Sequence, residues 1–422
     1  MRCRKSGASL AALLLLLSAC APQDYFRTDI RAEPCRIGGK AGCDSANLQW
    51  HADDGYALGF VEFDDTGRFY DARQAEYVLS WLKAGTEPHY VVIYAHGWHH
   101  NASETDFNVG RFKESLKAIK HRHPGYRVTG IYLGWRGETL DAPYLRMLTF
   151  WDRRAASAKL GRGPFKDFLL QVERAVKCHP DNRLLTIGHS LGALAIFNAL
   201  QADWLERVRR QGKGFGDLLL LVNPAIEASR FIALHQAVGE LKAPVAANPT
   251  AYPSLMVIGS EADKMTGSVF TWSRAFPALF ESVLDSFSPL ETREASAWEL
   301  SATAIGHFQP FLTHRLEAGP ESADACPALL DDRAEHADRP TWLAGDDLPM
   351  PLFDSPGLYL RRLPAESGNG PLWFVQTDKN VLPNHGFLNR KPFWCFVEYS
   401  LEKRADQSDT AKLIANETPP RD

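Results

Sequence analysis

Short apolar runs rich in β-branched and aromatic residues recur along this chain, and amphipathic stretches of helical period separate them. Tyr90–Ala95, which reads Tyr-Val-Val-Ile-Tyr-Ala, is apolar on both of its alternating faces, as are Asp217–Val222 after its first residue and most of Arg183–Gly188 and Ser254–Gly259. A strand with no polar face must be covered on both sides. Ala57–Phe63, Arg127–Leu133 and Pro371–Gln376 extend the series. The intervening periodicity predicts helices over Ala72–Lys83, Phe107–His121 (Asp106 as N-cap), Tyr144–Lys159, Phe165–Lys177, Leu191–Arg210 and Pro392–Glu398. Strands that alternate with helices are joined by parallel crossovers, so the expected fold class is α/β with a doubly wound, mostly parallel sheet.

The chain's two ends and one internal stretch depart from this rhythm. Arg2, Arg4 and Lys5 precede the apolar run Leu10–Leu17, the charged and hydrophobic regions of an export signal, and the run is too short for a membrane-spanning helix. Leu17-Ser18-Ala19-Cys20 resembles the bacterial lipobox, which implies cleavage after residue 19 and a lipid on Cys20. The absence of an acidic residue at Ala21 resembles lipoproteins sorted to the outer membrane, so the expected location is the cell envelope, facing the periplasm. Residues 20–54 are polar and aperiodic and read as a tether, followed by a domain over 55–405 and a polar tail over 406–422. Lys264–Pro364, about 100 residues between two apparent strands, reads as a cap-like insertion or surface excursion, aromatic at first and with Ala318–Pro340 as its most mobile part.

Outside the cytosol disulfides are permitted, and Cys35 and Cys43 close a short loop that one would staple. With Cys20 set aside for lipidation, Cys35, Cys43, Cys178, Cys326 and Cys395 are odd in number, which leaves a thiol unpaired. A net charge of −4 from well-mixed acidic and basic residues supplies no basic footprint for nucleic acid.

Gly188-His189-Ser190-Leu191-Gly192 falls between a predicted strand and a predicted helix. That context makes Ser190 a candidate nucleophile, held on a tight turn beneath a helix N-terminus where developing negative charge is stabilised. Serine needs a neutral imidazole to take its proton and a carboxylate to orient that ring. Asp263, just past the run Leu255–Gly259, is the candidate carboxylate, with Glu261 as its competitor. His385, after the last strand-like run, is the candidate base; His307 and His314 are rivals inside the insertion, and His307 suits the substrate pocket better. His189 reads as packing beneath the turn.

The strand Tyr90–Ala95 runs into His96-Gly97-Trp98-His99-His100-Asn101. Gly97 lets the chain turn so that the Trp98 amide joins that of Leu191 as an oxyanion donor, with Gly97 and His99 at the pocket. His96, His99 and His100 lack a carboxylate or cysteine at ligand spacing, so no metal is expected. Trp135 and Arg136 follow another strand and are candidates for the pocket, the alternative being an arginine paired to Glu138 or Asp141.

These motifs, together with Leu133-Gly134-Trp135-Arg136-Gly137, resemble the α/β-hydrolase superfamily over about Tyr56–Leu401, and within it esterase- and lipase-like proteins. The resemblance implies a serine hydrolase that cleaves a small-molecule or lipid ester without a cofactor. An acyltransferase or peptidase would use the same residues, and a non-catalytic envelope lipoprotein is the alternative from a different class.

Overall fold

A computed structural model describes residues 25–38, 42–138, 149–211, 214–240, 253–278, 286–290, 293–319, 350–351, 358–363 and 370–417. The export signal, Cys20, Asp141 and nearly all of Ala318–Pro340 lie outside them. No helix among the described residues is long and apolar enough to cross a membrane.

The strands, in chain order, are β1 (Cys35–Ile37), β2 (Leu48–His51), β3 (Tyr56–Phe63), β4 (His89–Ala95), β5 (Arg127–Trp135), β6 (Arg183–His189) and β7 (Leu218–Val222). They continue with β8 (Leu255–Ser260), β9 (Ser286–Leu290), β10 (Arg293–Ser296), β11 (His314–Ala318), β12 (Met350–Pro351), β13 (Leu358–Arg362) and β14 (Leu372–Thr377). The helices are α1 (Ala72–Lys83), α2 (Phe107–Arg122), α3 (Phe150–Leu160), α4 (Pro164–Val176), α5 (Leu191–Gln211), α6 (Ile232–Gly239), α7 (Phe270–Ala278), α8 (Ala297–Ala302) and α9 (Lys391–Glu417).

The fold is α/β. Among the described residues twelve strands form one mixed sheet in the order β1-β2-β3-β5-β4-β6-β7-β8-β14-β11-β13-β12, and β9 and β10 pair separately. Every neighbouring pair from β3 to β11 is parallel, whereas β2–β3, β11–β13 and β13–β12 are antiparallel.

Alternate side chains of each central strand enter two different cores. Val91, Ile93 and Ala95 pack with Val78 of α1, Phe168 of α4 and Leu194 of α5, while Tyr90, Val92 and Tyr94 pack with Phe112 of α2 and Phe393 of α9. Both faces of the sheet are therefore covered by helices, and burial of each Phe or Val contributes roughly 1.5–3 kcal/mol. Helix starts follow local chemistry: the Asp71 and Asp106 carboxylates accept from Arg73 N and Asn108 N, and Pro164 opens α4.

Three boundaries differ from expectation. The described part of the proposed tether belongs to the folded domain: β1 and β2 add to the sheet edge, and Cys35 and Cys43 are disulfide-bonded. Arg27 is fully buried there, its guanidinium 3.5 Å over the Phe60 ring and its Nε donating to Ala102 O at 2.7 Å. Strands of three and four residues are too short to carry a periodic signal.

The insertion is also more than a cap. It returns to the sheet as β11, β13 and β12, which pair beyond β14 and cover what would otherwise be an open edge. Finally, α9 runs well past Glu398 into the segment read as a tail, because Glu, Lys, Ala and Gln favour helix even without an apolar face. The helix expected from Tyr144 starts at Phe150, residues 139–148 lying outside the described set.

Candidate active site

β6 ends at His189 and α5 begins at Leu191, which leaves Ser190 alone to turn the chain. Its φ is +55°, the left-handed region that costs a non-glycine residue on the order of 1–3 kcal/mol. The neighbouring strand locks this geometry: Ser190 N donates to Val222 O at 3.0 Å, and Ser190 O accepts from Ala225 N at 3.2 Å.

Two glycines let other backbone approach. A Cβ on Gly192 would lie 2.3 Å from Ala95 O and 2.4 Å from His96 O, and one on Gly97 would lie 2.9 Å from Ser190 Cβ. Both obstacles on Gly192 are backbone oxygens at the end of β4 and the start of the loop beyond it, and neither is a flexible side chain. Gly192→Ala is therefore expected to destabilise the fold by about 2–3 kcal/mol in denaturant unfolding, whereas Gly110→Ala on α2, with nothing within 4 Å, leaves it unchanged or slightly raised.

Leu191 is the first residue of α5, so its N–H has no acceptor within the helix and sits at the positive end of the dipole. The loop after β4 bears on the same point through Gly97. Its own conformation is pinned from behind: His96 is fully buried, its Nδ1–H donates to Gly97 O at 2.9 Å, and its Nε2 accepts from Trp135 N at 3.2 Å. Burial lowers the His96 pKa to about 4, so the ring stays neutral in this single tautomer. Trp98 is anchored by its indole N–H on Thr149 Oγ1 at 3.0 Å and stacks on His99 at 3.9 Å.

The three clustered histidines take separate partners: His99, with φ +68°, faces Glu138 Oε1 at 3.3 Å, and His100 faces Asp106 Oδ1 at 3.2 Å. Among the described residues no group of three or more metal-ligating side chains comes together.

Asp263 stands in the turn after β8, and His385 in the loop between β14 and α9. Their side chains meet: His385 Nδ1–H donates to Asp263 Oδ2 at 2.7 Å, with Asp263 fully buried and a quarter of the His385 side chain exposed. Burial works to raise the Asp263 pKa, but the bonds from His385, Thr266 Oγ1 and Met265 N outweigh it and hold the value at about 2. The carboxylate is thus ionised, and the Nδ1 proton leaves Nε2 of His385 as the basic nitrogen. The His385 ring lies 4.7 Å from that of His189, the residue before Ser190.

The structure separates the remaining sequence candidates. Glu261 points away, in an ion pair with Arg315 NH2 at 2.7 Å. His307 Nε2 lies 3.0 Å from Thr266 Oγ1, which donates to Asp263, so His307 donates to the hydroxyl and reaches the carboxylate through it. His314 is buried on β11, stacked 4.0 Å from Trp373, far from this chemistry in role; burial lowers its pKa to about 3. Trp135 is likewise a buried support, stacked on His96 with its indole N–H on His96 O at 2.9 Å. Arg136 is half-buried past β5, its carbonyl accepting from Arg153 NH1 at 2.8 Å.

Sequence reasoning missed Thr266 and Asn223. Asn223 follows the last residue of β7 with φ +44°, and its Nδ2 donates to His385 O at 2.9 Å. Its place between an apolar run and Pro224 marks a strand end, a signal that was available.

No protein-family model matches the chain, and neither does any curated protein or solved structure.

Proposed function

We propose that this protein is a serine hydrolase of the α/β-hydrolase kind that cleaves a carboxylic ester through an acyl-enzyme. The observation that carries the reading is the buried, ionised Asp263 bonded to His385, whose ring lies 4.7 Å from that of His189, the residue before the strained Ser190. Ser190 Oγ attacks the ester carbon while His385 Nε2 takes its proton, and Asp263 stabilises the resulting imidazolium. The Leu191 and Trp98 amides receive the oxyanion; loss of one such donor costs about 3 kcal/mol. Collapse breaks the ester C–O bond, His385 returns the proton to the leaving alkoxide, and water repeats the sequence to release the acid. This chemistry requires no cofactor.

Trp272 and Trp298, exposed on α7 and α8, support an apolar acyl or aryl substrate. The N-terminal sequence supports a lipid on Cys20 at the outer membrane, and the Cys35–Cys43 disulfide suits an oxidising envelope compartment. Acyl transfer would use the same residues, and product partitioning between water and an added alcohol separates it from hydrolysis.

The test is labelling with a fluorophosphonate, which phosphonylates activated serines. Wild type is expected to label and Ser190→Ala to remain unlabelled, while a panel of p-nitrophenyl esters of rising chain length reports the acyl preference. Unlabelled wild type, or equal labelling of Ser190→Ala, would return the chain to the class of non-catalytic lipoproteins.

A further inference from the structure

The candidate base sits on a surface loop, yet that loop is held from below by side chains at the ends of three adjacent strands. His189, at the end of β6, directs Nε2 at the His385 carbonyl oxygen at 2.9 Å. Asn223, one residue past β7, directs Nδ2 at the same oxygen, also at 2.9 Å. Ser260, at the end of β8, donates its hydroxyl to Leu382 O at 2.6 Å. Both residues that meet the His385 carbonyl are buried, Asn223 completely.

We infer that Asn223 and His189 are positioning residues that clamp the carbonyl of His385 and thereby hold its imidazole on Asp263; this rests on the reading of His385 as the base. Each residue type is required by its bonds. Asn223 Oδ1 accepts from Ser260 N at 2.9 Å, so the other end of the amide must be the donor that reaches His385. One acceptor and one donor on a short side chain, at a left-handed φ of +44°, specify asparagine: aspartate would set a lone pair against a carbonyl. A carbonyl only accepts, so the proton of the neutral His189 ring resides on Nε2. Its Nδ1 is buried with no hydrogen-bond partner among the described residues, packed toward Gly97, where a Cβ would approach it to 3.2 Å.

The geometry also explains why the base does not drift. The His385 side chain has one bond among those described, to Asp263, while two buried donors converge on its backbone oxygen. Two bonds on one carbonyl fix the peptide plane, and through it the direction of the Cα–Cβ bond from which the ring hangs. Without them the ring keeps its partner only for part of the time, and the competent fraction falls.

The clamp is tested on the full chain by two measurements. The first is the downfield proton resonance of His385 Nδ1–H, assigned by its loss in His385→Ala. The second is the rate of fluorophosphonate labelling at Ser190. In Asn223→Gly, which keeps the left-handed backbone accessible, and in Asn223→Asp, the resonance is expected to broaden or vanish and labelling to slow at least tenfold. His189→Gln, which retains a side-chain N–H donor, is expected to keep the resonance and label within threefold of wild type, while His189→Ala loses both.

A folded Asn223→Gly that keeps the resonance and the wild-type rate overturns the clamp, as does a wild type that never shows the resonance. A resonance lost on substitution in a wild type that no phosphonate labels would instead keep the clamp and remove the hydrolase reading.

Discussion

Ser190→Ala and His385→Ala are each expected to lower kcat for an activated ester by about a millionfold, and the double variant to fall no further. In the proposed mechanism the two side chains share one act, the transfer of a proton from Oγ to Nε2 as the bond to the ester carbon forms. Removal of either leaves the other with nothing to do. What survives is catalysis by the oxyanion donors and by substrate binding, on the order of 10³–10⁴ over water. The control is His307→Ala. His307 touches the carboxylate only through Thr266, so this variant should lose less than about tenfold. Steady-state kinetics on the wild type and the four variants checks the set, and a larger loss in His307→Ala than in His385→Ala would move the base into the insertion.

Asp263→Asn is expected to lower kcat by about 10⁴-fold with a much smaller change in KM. The amide keeps the shape of the carboxylate but presents an N–H or a neutral oxygen to His385, so it neither fixes the proton on Nδ1 nor stabilises the imidazolium. The same substitution changes acid stability in a direction set by linkage. The Asp263 pKa is about 2 in the folded chain against 3.8 ordinarily, so the folded state holds its proton less tightly than the unfolded one. That difference stabilises the fold by on the order of 2 kcal/mol above about pH 4, and the contribution is lost as pH falls from 4 toward 2. Unfolding free energies of wild type and Asp263→Asn measured across that window should converge as pH falls; curves that stay parallel would contradict the depressed pKa.

The elbow was legible because its evidence is local. Leu184–Ile187, Ser190 between two glycines and the apolar periodicity of Leu191–Leu205 lie within one short window, and each constrains the backbone by itself. Asp263 and His385 were legible as positions after strands, though not as a bonded pair. The carboxylate's real competitor, Glu261, lies only two residues away, and the outcome depended on which way each side chain left the turn: Glu261 found Arg315, while Asp263 found Thr266, Met265 N and His385.

Other features were invisible for a different reason. β1 and β2 are too short for a period-two pattern, and the role of β11 follows from its pairing with β14, a partner about 60 residues away. His307, His189 and Asn223 each touch residues remote in sequence, and Thr266 joins His307 to Asp263. Nothing in the immediate neighbourhood of Asn223 says that its amide will meet the carbonyl of His385 across 162 positions.

By itself, then, the sequence determined the central strands, the helices between them and the class of architecture, because hydrophobic period, caps and turn residues act over a few residues. It also determined the strained turn at Ser190, since the glycines at positions 188 and 192 permit a close approach that any Cβ would block. The tertiary structure alone decided which carboxylate meets which histidine, which of the insertion's strands complete the sheet, and which side chains meet the carbonyl of His385. Those outcomes rest on hydrogen bonds that are only made once parallel crossovers have brought the ends of β6, β7, β8 and β14 side by side at one edge of the sheet.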